Sequence, residues 1–279
     1  MKDLKGVRPA VVEKVRATKR TTDQDLLVIE EPLEIRLGID HNGKRSEKAV
    51  SITMRTPGQD YELAIGFLFN EGIIRGRDDL EQTVRTHAVE DCNVVTVGLR
   101  KGLKVDMRRL RRHFYATSSC GVCGKASLQA LQVQGCPVLR RNEPHIHRHT
   151  VHLLPEKLRA AQSVFERTGA LHAAALFDAA GNLICVREDV GRHNAVDKLI
   201  GNQLIAGRTP LGDHLLMVSG RTSFEIIQKA LMAGIAVVAA VSAPSSLAVD
   251  LANRFGMTLL GFVRGDTFNI YAGAQRIDE

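Results

Sequence analysis

Apolar positions alternate with polar ones through the early part of the chain and then change period. Leu26-Leu27-Val28-Ile29, Leu33-Glu34-Ile35-Arg36-Leu37 and Ala49-Val50-Ser51-Ile52-Thr53-Met54 predict strands, punctuated by Pro32 and the turn-forming Asn42-Gly43. Asp60 to Phe69 predicts a helix with Leu63, Phe67 and Leu68 on one face and Gly72 as its stop. Two further strands are expected around 84–98 and 102–107. Residues 1–20 are basic and without periodicity, which predicts a flexible arm. Residues 21–114 therefore predict a small α+β domain.

From residue 115 the pattern changes. A helix is expected from Cys123 to Val133, then a hairpin of Leu171–Phe177 and Leu183–Arg187 across Ala179-Ala180-Gly181-Asn182, then a helix from Asn194. Leu215–Val218 runs through Ser219-Gly220-Arg221 into a helix reaching Ala233. Ile235–Val241 runs through Ser242-Ala243-Pro244-Ser245-Ser246 into a helix reaching Phe255. Thr258–Val263 turns at Arg264-Gly265-Asp266 into a last strand near Phe268–Tyr271. Alternating strands and helices with short polar joints predict an α/β fold, a three-layer domain over 115–279. No internal repeat or low-complexity tract interrupts it.

Composition narrows the class. With 44% hydrophobic and 25% charged residues among 279, the chain reads as an ordinary globular protein. Trp is absent and aromatics make up only 4%, so the core must rest on aliphatic side chains. No run of 18 apolar residues occurs, and the charged start Met1-Lys2-Asp3-Leu4-Lys5-Gly6 lacks a signal peptide's apolar core. A cytoplasmic protein with no membrane contact is expected. The net charge of +7 suits an anionic partner. Arg108, Arg109, Arg111, Arg112, Arg140 and Arg141 supply part of that excess, as a solvated surface. Without a recognisable module or aromatics for base stacking, nucleic acid is not an expected partner.

Five cysteines, Cys92, Cys120, Cys123, Cys136 and Cys185, are spaced too irregularly for a disulfide framework. Cys92, Cys136 and Cys185 are expected as small buried residues. Cys120 and Cys123 form a Cys-x-x-Cys in Thr117-Ser118-Ser119-Cys120-Gly121-Val122-Cys123-Gly124-Lys125. Ser118 and Ser119 are good caps, so Cys120 is expected at a helix start, where free N–H groups lower a thiol's pKa and favour the thiolate nucleophile. The motif by itself leaves several readings open. Structural zinc needs about four ligands, yet no second pair exists and His145, His147, His149 and His152 lack a matching spacing. No metal is therefore expected to be permanently bound. A thioredoxin-like dithiol usually has an aromatic where Ser119 stands. A zinc deaminase needs His-x-Glu or Cys-x-Glu, and neither tripeptide occurs. An inert capping pair and a persulfide carrier complete the set.

Three joints could hold an anion at helix starts: Arg187-Glu188-Asp189-Val190-Gly191-Arg192-His193-Asn194, Ser219-Gly220-Arg221-Thr222-Ser223 and Ser242–Ser246. Arg192, His193 and Arg221 are the candidates for charge and hydrogen bonds. The plainer reading pairs Asp189 with Arg187 or Arg192, and a capping box is expected between Thr222 and Glu225. None of the joints matches the P-loop or Rossmann patterns. His172, between apolar neighbours, is read as a satisfied core histidine.

Together with Leu171-His172-Ala173-Ala174, Ala195-Val196-Asp197-Lys198 and Gly261-Phe262, these segments resemble the FdhD/NarQ family of formate dehydrogenase accessory sulfur carriers. The resemblance spans nearly the whole chain and is densest from Thr117 to Tyr271. It implies a larger domain similar in fold to cytidine deaminases. It further implies that sulfur is taken from a cysteine desulfurase as a persulfide and passed to the Mo-bis(molybdopterin guanine dinucleotide) cofactor of formate dehydrogenase. By position, Cys120 corresponds to the persulfide-bearing residue and Cys123 to its relay or resolving partner. Phe262, Val263, Arg264, Gly265, Asp266 and Thr267 match the family's cofactor-binding stretch. A homodimer is expected.

Overall fold

A computed structural model describes residues 6–41, 44–81, 93–103, 105 and 136–279. Most of the expected flexible arm, from Val7 on, is instead paired in a ribbon. Strand β1 (Val7–Arg16) pairs antiparallel with β2 (Lys19–Val28) along ten residues, turning at Ala17-Thr18 with Ala17 at φ 51°. Ala10, Val12 and Lys14 are half-buried while Val11, Glu13 and Val15 are exposed. That is a strand period, hidden in the sequence by the basic composition and a turn without Gly or Asn.

Strands β3 (Glu31–His41), β4 (Lys44–Arg55) and β5 (Val94–Gly98) form a sheet ordered β4-β3-β5. Strands β3 and β4 pair as far as His41 opposite Lys44; the expected turn residues Asn42 and Gly43 lie outside the described residues. Helix α1 (Asp60–Asn70) covers this sheet, burying Leu63, Ala64, Ile65 and Leu68 against Leu33, Ile35, Val50 and Val97. Of the strand expected at 84–98, residues 94–98 are observed and 82–92 lie outside the described residues. Leu103 and Val105 are not in a strand.

The large sheet runs β12-β11-β10-β9-β7-β8, built from β7 (His172–Asp178), β8 (Leu183–Asp189), β9 (His214–Val218), β10 (Val237–Ala240), β11 (Thr258–Arg264) and β12 (Thr267–Ala272). Strands β9, β10 and β11 are parallel, the remaining pairs antiparallel. Ala174, Leu176, Leu216, Val238 and Leu259 face α4 (Arg192–Ile205), α5 (Phe224–Met232) and α6 (Ser246–Arg254). Their neighbours Ala173, Ala175, Leu215, Met217 and Leu260 face the opposite way, onto α2 (Arg148–Ala161). Helices on both faces of a mixed sheet make the three-layer α/β fold, with the near-continuous apolar strands that double coverage requires. Helix α1 also packs on α4, so one core runs from Leu33 through Leu259.

Helix α2 and the short α3 (Ser163–Thr168) escape the sequence reading, although Val151, Leu154 and Leu158 carry a helical period. Pro155 inside α2 and the surrounding histidines obscure it. Strands β6 (Ile146–His147) and β13 (Ile277–Asp278), also missed, tie the C-terminus beside α2. No described helix is long and apolar enough to cross a membrane. The expected helix 123–133, Cys92 and the whole Cys120–Cys123 motif lie outside the described residues; Cys185 is buried and Cys136 half-buried.

Candidate functional site

The three polar joints meet at one edge of the large sheet. β8 leads through Val190-Gly191 into α4, β9 through Ser219–Ser223 into α5, and β10 through Val241–Ser245 into α6. Such an edge, outside the carboxyl ends of parallel strands, is where open α/β sheets bind ligands. The joints are laced by backbone bonds: Thr222 N–H donates to Ala243 O at 3.2 Å and Ser245 N–H to Thr222 O at 2.9 Å. Ser245 Oγ caps α6, accepting from Ala248 N–H at 3.3 Å. By contrast, α4 and α5 begin at Gly191 and Ser223 without a side-chain cap. Their first N–H groups and dipoles therefore face the edge with no side-chain acceptor of their own.

Much of the first joint is structural. Asp189, fully buried, pairs with Lys198 Nζ at 2.7 Å. It also accepts from Thr56 N–H, Gly191 N–H and Asn194 Nδ2. Arg187 instead forks onto Glu62 of α1, with Nη2 2.9 Å from Oε1. The plainer pairing of Asp189 with Arg187 or Arg192 is thus replaced by Lys198 in the second turn of α4, a choice that depends on the tertiary packing of that helix. Glu188 caps α3 through Val164 and Phe165 N–H.

What remains at the edge is cationic. Arg192 and His193 occupy the first turn of α4, and Arg221 is exposed in the second joint. Arg192 Nε and Thr222 Oγ1 are buried and have no hydrogen-bond partner among the described residues. The expected capping box does not form. Glu225 turns instead to His193, whose Nε2 lies 3.0 Å from Glu225 Oε2 and 3.1 Å from Ser223 Oγ. The hydrogen bond from His193 holds the Glu225 carboxyl below its usual range.

His172 also belongs here rather than to the closed core. It is half-buried beside Gly220, where a Cβ would lie 3.1 Å from His172 Nδ1 and 3.8 Å from Arg192 Cδ. Burial, and then the charges of Arg192, His193 and Arg221, push its pKa down. The antiparallel register of the β7–β8 hairpin, which sets His172 opposite Asp189, was the signal that could have placed it at the joint.

The stretch 262–267 approaches the same edge at one point. Phe262 N–H donates to Ser242 O at 3.3 Å, and Phe262 adopts φ 52° at a break in the β11–β12 register. Its ring is exposed, with the Arg264 guanidinium 5.7 Å from the ring centroid. Val263 is fully buried on the α2 side of the sheet, so its side chain serves the core. Arg264, Gly265, Asp266 and Thr267 are exposed on the hairpin beyond, where Thr267 Oγ1 donates to Arg264 O. The structure thus brings Arg192, His193, Arg221 and Phe262 to one edge; Cys120 and Cys123 lie outside the described residues. No group of three metal-ligating side chains occurs among the described residues.

Comparison with known proteins gives this arrangement a context. The model of the FdhD/NarQ family matches residues 28–278. The chain is 51% identical over 272 residues to the sulfur carrier protein FdhD of Streptomyces avermitilis, covering 95% of this chain and 94% of that one. It is 49% identical to the protein of that name from Mycobacterium tuberculosis, with 95% and 96% covered. Identity to the Sulfurisphaera tokodaii sulfur carrier protein FdhD is 43%, with 97% and 99% covered. A crystal structure of a candidate formate dehydrogenase accessory protein from Desulfotalea psychrophila superposes with a TM-score of 0.73 at 22% identity, covering 98% of this chain and all of that one.

Proposed function

The chain belongs to the FdhD/NarQ family, and from that premise we propose that it is a sulfur carrier serving formate dehydrogenase, with Cys120 as the sulfur-bearing residue. The donor is a cysteine desulfurase. The acceptor is the guanine-dinucleotide form of the molybdenum cofactor. The observation that carries the acceptor half is the sheet edge itself. Two helix starts without side-chain caps, the cations Arg192 and Arg221, and the unpartnered Arg192 Nε and Thr222 Oγ1 together suit the phosphates of a dinucleotide. His172 and His193 add ring N–H groups, and Phe262 adds an exposed aromatic face at the rim, continued by the exposed part of 264–267.

Sulfur would move by thiol–persulfide exchange. The Cys120 thiolate attacks the terminal sulfur of the desulfurase persulfide, forming a Cys120 persulfide and expelling the donor cysteine as a thiolate. In the second step the Cys123 thiolate attacks Cys120 Sγ and expels the terminal sulfur as hydrosulfide beside the bound cofactor. The resulting Cys120–Cys123 disulfide has taken up the oxidation, and a cellular dithiol reductant returns it to two thiols. The chain's own residues hold the cofactor's phosphates in place during this exchange.

The test is complementation. In cells lacking their own carrier, Cys120→Ser is expected to abolish formate dehydrogenase activity while the protein still accumulates. Full activity from that variant would favour a non-covalent cofactor chaperone, and loss on Arg192→Ala plus Arg221→Ala would then mark the edge as its working part.

A further inference from the structure

The β1–β2 ribbon extends from the molecule with little to cover it. Its strands pair with each other and with no other described strand, over a length of roughly 30 Å. Two strands alone are marginal in water and need a third strand or a packed face. Ala10, Val12 and Lys14 are half-buried and form the inner face, while Val11 and Val15 on the outer face are 73% and 63% exposed. Every residue of β2 from Lys19 to Asp25 is exposed.

Charge is uneven along this arm. Lys14 pairs with Asp23 at 2.7 Å and Arg20 with Glu13 at 3.2 Å, which neutralises its middle. At the tip Arg16 stands directly opposite Lys19, both exposed and neither with a carboxylate partner among the described residues. Like charges facing each other across a ladder are destabilising. An acidic surface laid on the tip relieves that repulsion.

The ribbon is rooted beside the cationic sheet edge. Ile29 N–H closes its base by donating to Gly6 O at 2.8 Å, and a Cβ on Gly6 would lie 2.8 Å from Thr56 Cγ2. Thr56 in turn is bonded to the first joint, its N–H donating to Asp189 and its Oγ1 accepting from Val190 N–H. Strand β2 lies against α3, whose first N–H groups are held by Glu188. A protein grasped by this arm is therefore brought to the edge at which the cofactor is proposed to bind.

We propose that the ribbon is a docking arm for the enzyme that receives the cofactor, gripping an acidic surface with Arg16 and Lys19 and an adjoining apolar strip with Val11 and Val15. The inference rests on the reading that the sheet edge presents a molybdenum cofactor for formate dehydrogenase. A protein fits the arm better than nucleic acid or an anionic membrane, because Glu13, Asp23 and Asp25 on the same ribbon oppose a continuous array of phosphates. A second copy is a poor occupant, since it carries the same net charge of +7.

The experiment measures binding of the full-length chain to formate dehydrogenase purified from cells lacking their own carrier, by surface plasmon resonance at low and physiological salt. Arg16→Glu sets a carboxylate opposite Lys19, which favours the ribbon. It is nevertheless expected to weaken binding about tenfold, mainly in the association rate, and to flatten the salt dependence. Its melting temperature should equal or exceed that of the wild type, which separates docking from a merely structural role. Val11→Ser with Val15→Ser is expected to weaken binding through faster dissociation. Lys48→Glu, a charge reversal at an exposed position of β4, should leave binding unchanged. Unchanged affinity in both ribbon variants would overturn the proposal. So would a selective loss of desulfurase binding, of binding to phosphatidylglycerol vesicles or of self-association, each of which assigns the arm another occupant. If the wild type fails to bind the enzyme yet still loads sulfur from a desulfurase, the inference fails alone. If it loads no sulfur either, the reading beneath it fails too.

Discussion

At the scale of single residues, the site is held by buried ions that the chemistry does not use. Lys198 and Asp189 are both fully buried, and Lys198 Nζ also donates to Thr56 O at 2.9 Å, tying the β4–α1 connection to the joint before α4. Removing one member of such a pair strands the other charge in the interior. Lys198→Met is therefore expected to lower unfolding free energy by about 3–5 kcal/mol, measured by urea denaturation; a loss below about 1 kcal/mol would mean the pair is dispensable. His172 sets a pH dependence. Its folded pKa lies below the ordinary 6.5 because burial and neighbouring cations oppose its protonation. The unfolded chain then binds the proton more readily, so stability is full above the unfolded value and declines as pH falls through 6.5. His214, depressed by burial, contributes in the same direction. Melting temperatures between pH 7.5 and 5.5 should fall for the wild type, and His172→Gln should flatten part of that slope.

At the scale of elements, most strands and the helices α1, α4, α5 and α6 could be read from the sequence because they are simply patterned: apolar strand runs, helical periods, and polar joints between them. The joints themselves were legible as joints, and Arg192, His193 and Arg221 do meet there. Partner choice was not legible. Lys198 rather than an arginine meets Asp189, and Glu225 meets His193 rather than Thr222, because those pairings depend on which helix turn faces which loop. The β1–β2 ribbon and α2 were missed where composition, or a proline inside a helix, masked the period. Two glycines show how closely α1 and α4 cross. A Cβ on Gly66 would fall 1.9 Å from Asp197 O, and one on Gly201 would fall 1.9 Å from Glu62 O. Gly66→Ala must push the helices apart, with an expected cost of about 1–3 kcal/mol or more and weakened anion binding, since α4 carries Arg192 and His193. Gly76→Ala, with open space and an extended backbone at that position, should change stability by less than about 0.5 kcal/mol. Equal melting temperatures for the two variants would contradict the close crossing.

At the scale of the whole molecule, a three-layer domain and a small sheet with its helix share one core, and the large sheet's edge gathers cations and uncapped helix starts on one rim. That rim is the proposed recognition surface for an anionic client. Family membership supports the sulfur-carrier role, and Cys120 in the Ser118–Lys125 segment is its proposed site. The most direct measurement joins the purified chain to a cysteine desulfurase, pyridoxal phosphate and cysteine, and records intact and peptide masses without reductant. The expected result is the gain of one sulfur on Cys120, reversed by dithiothreitol and absent from Cys120→Ala. An active desulfurase that leaves every cysteine of the chain unmodified would contradict the carrier assignment.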